Sequence, residues 1–179
     1  VTPEIIGELV SIAGARNVLT GQDQMFPYSH DEVGEDKWRQ MPEAVVKPEN
    51  TLQIAQIMQL ANRELIPVTP RGAGTGLAAG AVPFHRGIVL SLERLNRILE
   101  LDRDNMFMVV EAGVTTGEVQ RLAREEGFLY AGDPCSGDAS FIGGNVAENA
   151  GGNKVIQDGA ARGAVLDHLV PPRVFGHVP

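Results

Sequence analysis

The sequence predicts an α+β chain: two small α/β lobes preceded by an N-terminal helix and an irregular arm. Three observations carry that expectation. A strand-helix-strand pattern over residues 44–69 runs directly into a glycine-rich stretch, Pro70 to Ala81. A second strand followed by a capped helix begins at Met106. The 179 residues, 43% of them hydrophobic, are enough for one sizeable core or two small ones. The expected divisions are 1–42 for the helix and arm, 43–101 for the first lobe and 102–179 for the second.

Taken in order, Ile5, Ile6, Leu9, Val10 and Ile12 stand at mainly helical spacing behind Thr2 and Pro3, a cap and first-turn pair, which predicts a helix over 3–14. From Val18 to Pro42 turn formers dominate and periodicity is lost, so an irregular arm is expected, with Tyr28 and Trp38 as packing anchors. Ala44 to Val46 reads as a short strand. Asn50 caps a helix over 51–64, with Gln53 three residues on and a stripe of Ile54, Ile57, Met58, Ala61 and Leu65. Strands are expected at 66–69, 87–92 and 106–111, and the stretch from Leu92 to Asn105 reads as turn or partly helical. Thr115 and Glu118 form a capping box for a helix over 116–126 that Gly127 ends.

Two glycine-rich stretches carry the chemistry. In the first, Gly72, Gly74, Gly76 and Gly80 alternate with Ala73, Ala78, Ala79 and Ala81, which removes side chains where a backbone must approach something closely. Glycine permits the dihedrals that turn successive N–H groups into an anion-binding nest, so a phosphate is the expected occupant; a plain surface loop is the alternative. Arg71 either pairs with that phosphate or braces the loop through its carbonyls, and Thr75 either donates its hydroxyl or caps the following turn. No Gly-Lys-Ser/Thr follows and the third glycine of the dinucleotide fingerprint is missing, which disfavours nucleoside triphosphatases and nicotinamide Rossmann domains. In the second stretch Gly143, Gly144, Gly151 and Gly152 bracket Asn145 and Asn149, with Ala147 and Ala150 between. A ligand lying against that backbone, oriented by the two amides, is one reading; a helix end with Asn caps is the other. One loop from each lobe points to a site between them.

Composition narrows the partners. A net charge of -8 and a pI near 5.0 argue against nucleic acid and anionic membrane surfaces, both held through clustered Lys and Arg. An anionic cofactor stays compatible, because backbone N–H groups hold phosphate without basic side chains. No apolar run reaches the ~20 residues of a membrane span. The acidic N-terminal stretch is unlike a signal peptide, and the single Cys135 fits a reducing compartment, so a cytoplasmic location is expected. Cys135 reads as a small buried thiol. His30, His85, His168 and His177 show no ligand spacing, so no metal site is expected.

The ordered segments PRGAGTGLAAGA, IVLSLERLNRILELD, EAGVTTGEVQ, GDPCS and IGGNVAENAGGNK resemble the FAD-binding domain of the vanillyl-alcohol oxidase and p-cresol methylhydroxylase superfamily, over about residues 28–166. Within it the chain looks most like FAD-linked 2-hydroxy-acid oxidases and dehydrogenases of the glycolate oxidase D subunit and D-lactate dehydrogenase type. The resemblance implies FAD as cofactor. It assigns Pro70, Arg71, Gly72, Ala73, Gly74, Thr75 and Gly76, with Gly80 and Ala81, to the diphosphate. Asp133, Pro134 and Ser136, with Gly143, Gly144, Asn145, Ala147, Asn149, Gly151 and Gly152, fall to the ribityl chain, phosphates and isoalloxazine. Relatives that link FAD covalently use a histidine where this chain has Thr75, so dissociable, non-covalent FAD is implied. Phe141 departs from the small Thr common before Ile-Gly-Gly-Asn, and the match weakens after Lys154. The relatives continue for several hundred residues that carry the substrate-binding arginine, the histidines and any metal site, so an N-terminal fragment or truncated product is expected. The implied substrate is a small 2-hydroxy acid. Partner subunits or an electron-acceptor protein, and through them the periphery of the inner membrane, go with that reading. No catalytic residue is assigned.

Overall fold

The computed structural model describes residues 1–34 and 37–152; the expectations placed on 153–179, His168 and His177 among them, lie outside the described residues. The chain divides into two compact units, Val1–Leu95 and the residues from Asn96 onward.

The first unit is built on a four-stranded sheet of β1 (Val18–Leu19), β2 (Ala44–Val46), β3 (Val68–Arg71) and β4 (Ile88–Ser91), in the order β1-β2-β4-β3. β1 runs antiparallel to β2, and the other pairs are parallel. β2 and β4 are buried along their whole length, as a continuous apolar run in a parallel sheet should be. β3 lies at an edge, where the missing N–H of Pro70 breaks no ladder on its open side. It starts two residues later than the apolar run suggests. One face of the sheet carries α1 (Pro3–Ala13) and α3 (Thr51–Arg63): Ala44, Val46, Ile88 and Leu90 pack there with Leu9, Ile57 and Leu60. The alternate residues Val45 and Val89 face the other way and meet Met25 and the half-buried Tyr28 and Met41 of the arm. The arm is therefore structured, containing β1, the short α2 (Gln22–Met25) and a 3₁₀ turn over Phe26–Tyr28.

The caps follow the sequence closely. Asn50 Oδ1 accepts the Gln53 N–H at 2.9 Å, and Gln53 reaches back to the Glu49 N–H, one residue earlier than a capping box requires. α3 ends at Arg63, and Leu65 turns out at φ 53, so the last residue of the expected apolar stripe is exposed.

In the second unit β5 (Ile98–Asp102) and β6 (Phe107–Val110) form an antiparallel hairpin, followed by α4 (Thr116–Glu125) and α5 (Ile142–Ala147). Met108, Val114, Val119 and Ile142 make its core. The turn reading of Leu92–Asn105 holds at Glu93–Arg94 and at 103–105 but is overturned over Ile98–Asp102, which is β5: Ile98 and Leu101 are three residues apart, a helix-like spacing that the register shift between Ile98 and Glu100 produces within a strand. Only half of the Thr115–Glu118 box forms: Thr115 Oγ1 accepts the Glu118 N–H at 3.2 Å, while the Glu118 carboxylate pairs with Arg121.

Gly87 fixes the start of β4. It has φ 64, its carbonyl accepts from Glu43 and Ala44, and a Cβ there would lie 2.2 Å from the Pro67 carbonyl oxygen. Backbone cannot yield as a side chain can, so Gly87→Ala is expected to destabilise the protein by about 1–3 kcal/mol. Urea denaturation followed by far-UV circular dichroism measures this.

Candidate functional site

The glycine loop leaves the C-terminal end of β3 with its carbonyls and N–H groups treated unequally. Three carbonyls face protein donors: Gly74 O accepts from the Glu32 N–H at 3.0 Å, Ala79 O from the Val82 N–H at 3.1 Å, and Ala81 O from Arg71 Nη1 at 3.4 Å. In contrast, no backbone N–H from Gly72 to Ala81 has an acceptor among the described residues. Gly72 to Thr75 and Ala81 are half-buried and Ala79 is buried, whereas Gly76, Leu77, Ala78 and Gly80 are exposed; the covered donors are costly unless water or an anion supplies the acceptor, and an anion supplies the stronger one. At Gly76 and Gly80 a Cβ would meet nothing within 4 Å, so the space beside the backbone is open there. Thr75, half-buried, makes no side-chain hydrogen bond among the described residues, so capping of the next turn is not its role in this structure.

Arg71 is a brace. Its guanidinium is buried and donates to His30 O at 2.7 Å, Pro27 O at 3.0 Å and Ala81 O, tying two turns of the arm to the end of the loop. Burial lowers its pKa from the ordinary value, while Tyr28, Asp31 and Glu93 act in the opposite direction. Gly74 has to be glycine on two counts: its φ is 78, and a Cβ would lie 2.2 Å from Arg71 Nη2. Its small size therefore serves the brace as well as the loop.

Beside Arg71 lies a polar group that sequence reasoning missed. Glu93 Oε2 accepts from the Tyr28 hydroxyl at 2.9 Å and the Ser91 hydroxyl at 3.0 Å, while Oε1 pairs with Lys47 Nζ at 2.7 Å. Burial pushes the Glu93 carboxyl up, but Lys47, Tyr28 and Ser91 outweigh it and the net shift is downward. Lys47 and Glu93 are 46 residues apart and follow no motif. Only the strand pairing, which sets Val46 opposite Leu90 and Arg71 opposite Ser91, shows that these residues share one end of the sheet.

In the second unit the glycine stretch opens with α5, so its first half is helix. Asn145 is buried and donates from Nδ2 to Thr116 Oγ1 at 2.6 Å, and Thr116 in turn meets Ser140. Its amide nitrogen is thus committed to joining α5 to the first turn of α4. Gly143 packs on Ala112, where a Cβ would stand 2.7 Å from the Ala112 Cβ. Gly152 crosses Asp133 in a parallel bridge so close that a Cβ would lie 1.8 Å from the Asp133 carbonyl oxygen. Gly151 O accepts from the Asp133 N–H, which holds Asp133 and Pro134 against the end of the stretch. Gly144, Ala147 and the left-handed Asn149 are exposed, and Ser136 is half-buried at the turn, where its carbonyl accepts from Ala139 and Ser140. Cys135 is exposed, contrary to the buried thiol expected, because the turn after Pro134 carries it outward.

A family model described as FAD binding domain matches residues 42–170. The chain is 34% identical over 166 residues to the glycolate oxidase subunit GlcD of Bacillus subtilis, covering 93% of this chain and 35% of that protein. It is 38% identical over 162 residues to a D-lactate dehydrogenase of Anaerostipes hadrus, covering 90% and 34%. Among solved structures it superposes on alkyldihydroxyacetonephosphate synthase with a TM-score of 0.82 at 20% identity, covering 93% of this chain and 35% of that one. On p-cresol methylhydroxylase the TM-score is 0.72 at 24% identity, covering 82% and 29%. The chain spans about a third of the length of the curated relatives it matches.

Replacing Arg71 by Met would leave the carbonyls of Pro27, His30 and Ala81 without their donor, at an expected cost of roughly 2–4 kcal/mol in chemical denaturation. The lowered Glu93 pKa predicts a pH dependence. Its contribution is complete above the unfolded value of 4.5 and is lost as the pH falls through the lower folded value. Glu93→Gln should remove that component, so the stability difference between wild type and variant shrinks on acidification.

Proposed function

The chain belongs to the FAD-binding domain family, and from that premise we propose that its first glycine loop holds the FAD diphosphate. The observation that carries this reading is the run of N–H groups from Gly72 to Ala81 that have no acceptor among the described residues, next to the open space at Gly76 and Gly80. Backbone donors fixed by the carbonyl contacts beneath them bind a diphosphate with little reorganisation, and Thr75 adds a hydroxyl. Arg71 contributes by holding this geometry. Pro70, Gly72, Ala73 and Gly74 form the first turn of the cradle. In the second unit Asp133, Pro134, Ser136, Gly143, Gly144, Asn145, Ala147, Asn149, Gly151 and Gly152 are assigned to further cofactor contacts by the family resemblance. Asn145 serves there through its position rather than its committed Nδ2.

For the whole protein we propose oxidation of a small 2-hydroxy acid to the 2-oxo acid. Glycolate, lactate and 2-hydroxyglutarate, named in matched relatives, share that chemistry. The chemistry the flavin would supply is acceptance of the hydride that leaves the substrate carbon, while the hydroxyl proton would pass to a base and the C–O bond become the carbonyl. The residues of this chain bind and orient the cofactor. With no histidine in the glycine loop, the cofactor is held without a covalent bond there. A flavin-binding module completed by a partner chain is the second reading.

Titration of the chain with FAD, followed by flavin fluorescence, should show saturable binding, and acid precipitation should release the flavin into the supernatant. Anaerobic addition of D-lactate or glycolate separates the two readings: bleaching by this chain alone excludes the module that needs a partner. Gly76→Val places a side chain in the open space of the cradle, where a Cβ meets no protein atom within 4 Å. It is therefore expected to weaken FAD binding by at least about tenfold while the melting temperature stays within a few degrees of wild type. Wild-type affinity in that variant would overturn the cradle.

A further inference from the structure

The parallel register puts Arg71 opposite Ser91, and Lys47 follows Val46, which stands opposite Leu90. Lys47, Ser91 and Arg71 therefore occupy one row across the C-terminal end of the sheet. The Tyr28 ring lies over that row, with Lys47 Nζ 5.1 Å and Arg71 Cζ 5.6 Å from its centroid. Both cations contact one ring, whose hydroxyl is anchored on the carboxylate that also takes Lys47 and Ser91. From this fixed place Arg71 grips Pro27 O and His30 O on either side of Tyr28, together with Ala81 O of the loop. The arm supplies one more contact, from the Glu32 N–H to Gly74 O. The carbonyls held by these donors, at Gly74 and Ala81, lie in and at the end of the stretch whose N–H groups have no acceptor among the described residues.

We propose that Tyr28, Lys47 and Glu93 are positioning residues that act through Arg71 to lock the N-terminal arm under the glycine loop, so that its N–H groups are held ready for a diphosphate before any ligand arrives. The inference deepens the FAD reading and rests on it. A loop preset in this way loses less conformational freedom on binding than one ordered by its ligand. None of the three residues contacts the anion in this arrangement. Their effect reaches it through the backbone of residues 74–81.

The protein contains its own reporter. Trp38 is the single tryptophan, lies in the arm, and makes an edge-to-face contact with Phe84, three residues past the loop end, with centroids 5.9 Å apart. Tyr28→Phe keeps the ring against the two cations and removes only the hydroxyl; Lys47→Met removes one cation, and Lys47→Arg restores it. In Tyr28→Phe and Lys47→Met the dissociation constants for FAD and for ADP should rise by the same factor, about 5–20-fold, because both ligands present the diphosphate. Lys47→Arg should recover most of the loss. In the ligand-free protein the same two variants should make Trp38 more accessible to acrylamide, with far-UV circular dichroism unchanged.

Wild-type affinities in both variants, or unchanged Trp38 quenching, would overturn the proposal. A fall in FAD affinity without one in ADP affinity would also overturn it, since the effect would then lie at the flavin end. If wild type binds neither ligand, the diphosphate reading fails by itself. The quenching comparison then still decides whether these residues hold the arm. Should Lys47→Met fail to fold, Tyr28→Phe, which deletes one oxygen atom, carries the same comparison.

Discussion

The first unit depends on one buried guanidinium. Arg71 ends the edge strand, and its donors reach carbonyls at Pro27, His30 and Ala81, which are remote in sequence. A cation that is buried must be matched, since desolvation without hydrogen bonds would cost several kcal/mol. Here backbone dipoles satisfy its donors, while the Tyr28 ring and the charges of Asp31 and Glu93 offset part of its desolvation. The arm, the sheet end and the glycine loop are consequently one mechanical assembly. Two faces of the same sheet serve different ends: Ala44, Val46, Ile88 and Leu90 build the core with the helices, while Val45 and Val89 seat the arm that Arg71 holds.

The glycines of the two stretches have different physical causes, although the sequence presents them alike. Gly74 makes room for Arg71, Gly143 for Ala112, and Gly152 for the Asp133 backbone; each would be impaired by a Cβ irrespective of any ligand. Gly76, Gly80 and Gly144 face open space, so their lack of a side chain has no packing explanation. The distinction bears on the reading of the loop. Free space and unanswered N–H groups coincide in the first stretch, whereas most N–H groups in the second already bond within the unit.

Much of the secondary structure was legible because its signals are local. Asn50 and Thr115 each accept the N–H three residues on, as their positions suggest, and Gly127 ends α4 with φ 80. β5 was not legible, because the shift at Ile98/Glu100 gives a strand the apolar spacing of a helix. The helical half of the second stretch was obscured by Gly143 and Gly144, which propensity alone would exclude from a helix. α5 forms there because Ile142 is buried in the core and Asn145 is bonded to Thr116, a tertiary gain that outweighs the local cost.

By itself the sequence determined the α+β class, the family and hence the cofactor type, since ordered motifs, capping residues and strand periodicity are carried by residues close together in the chain. It left open whether Arg71 grips a phosphate or the loop, and gave no sign of Lys47, Glu93 and Tyr28 acting together. Those matters were decided by tertiary structure. The side chains meet only because parallel pairing aligns the ends of β2, β3 and β4, and register is set by which apolar faces become buried together.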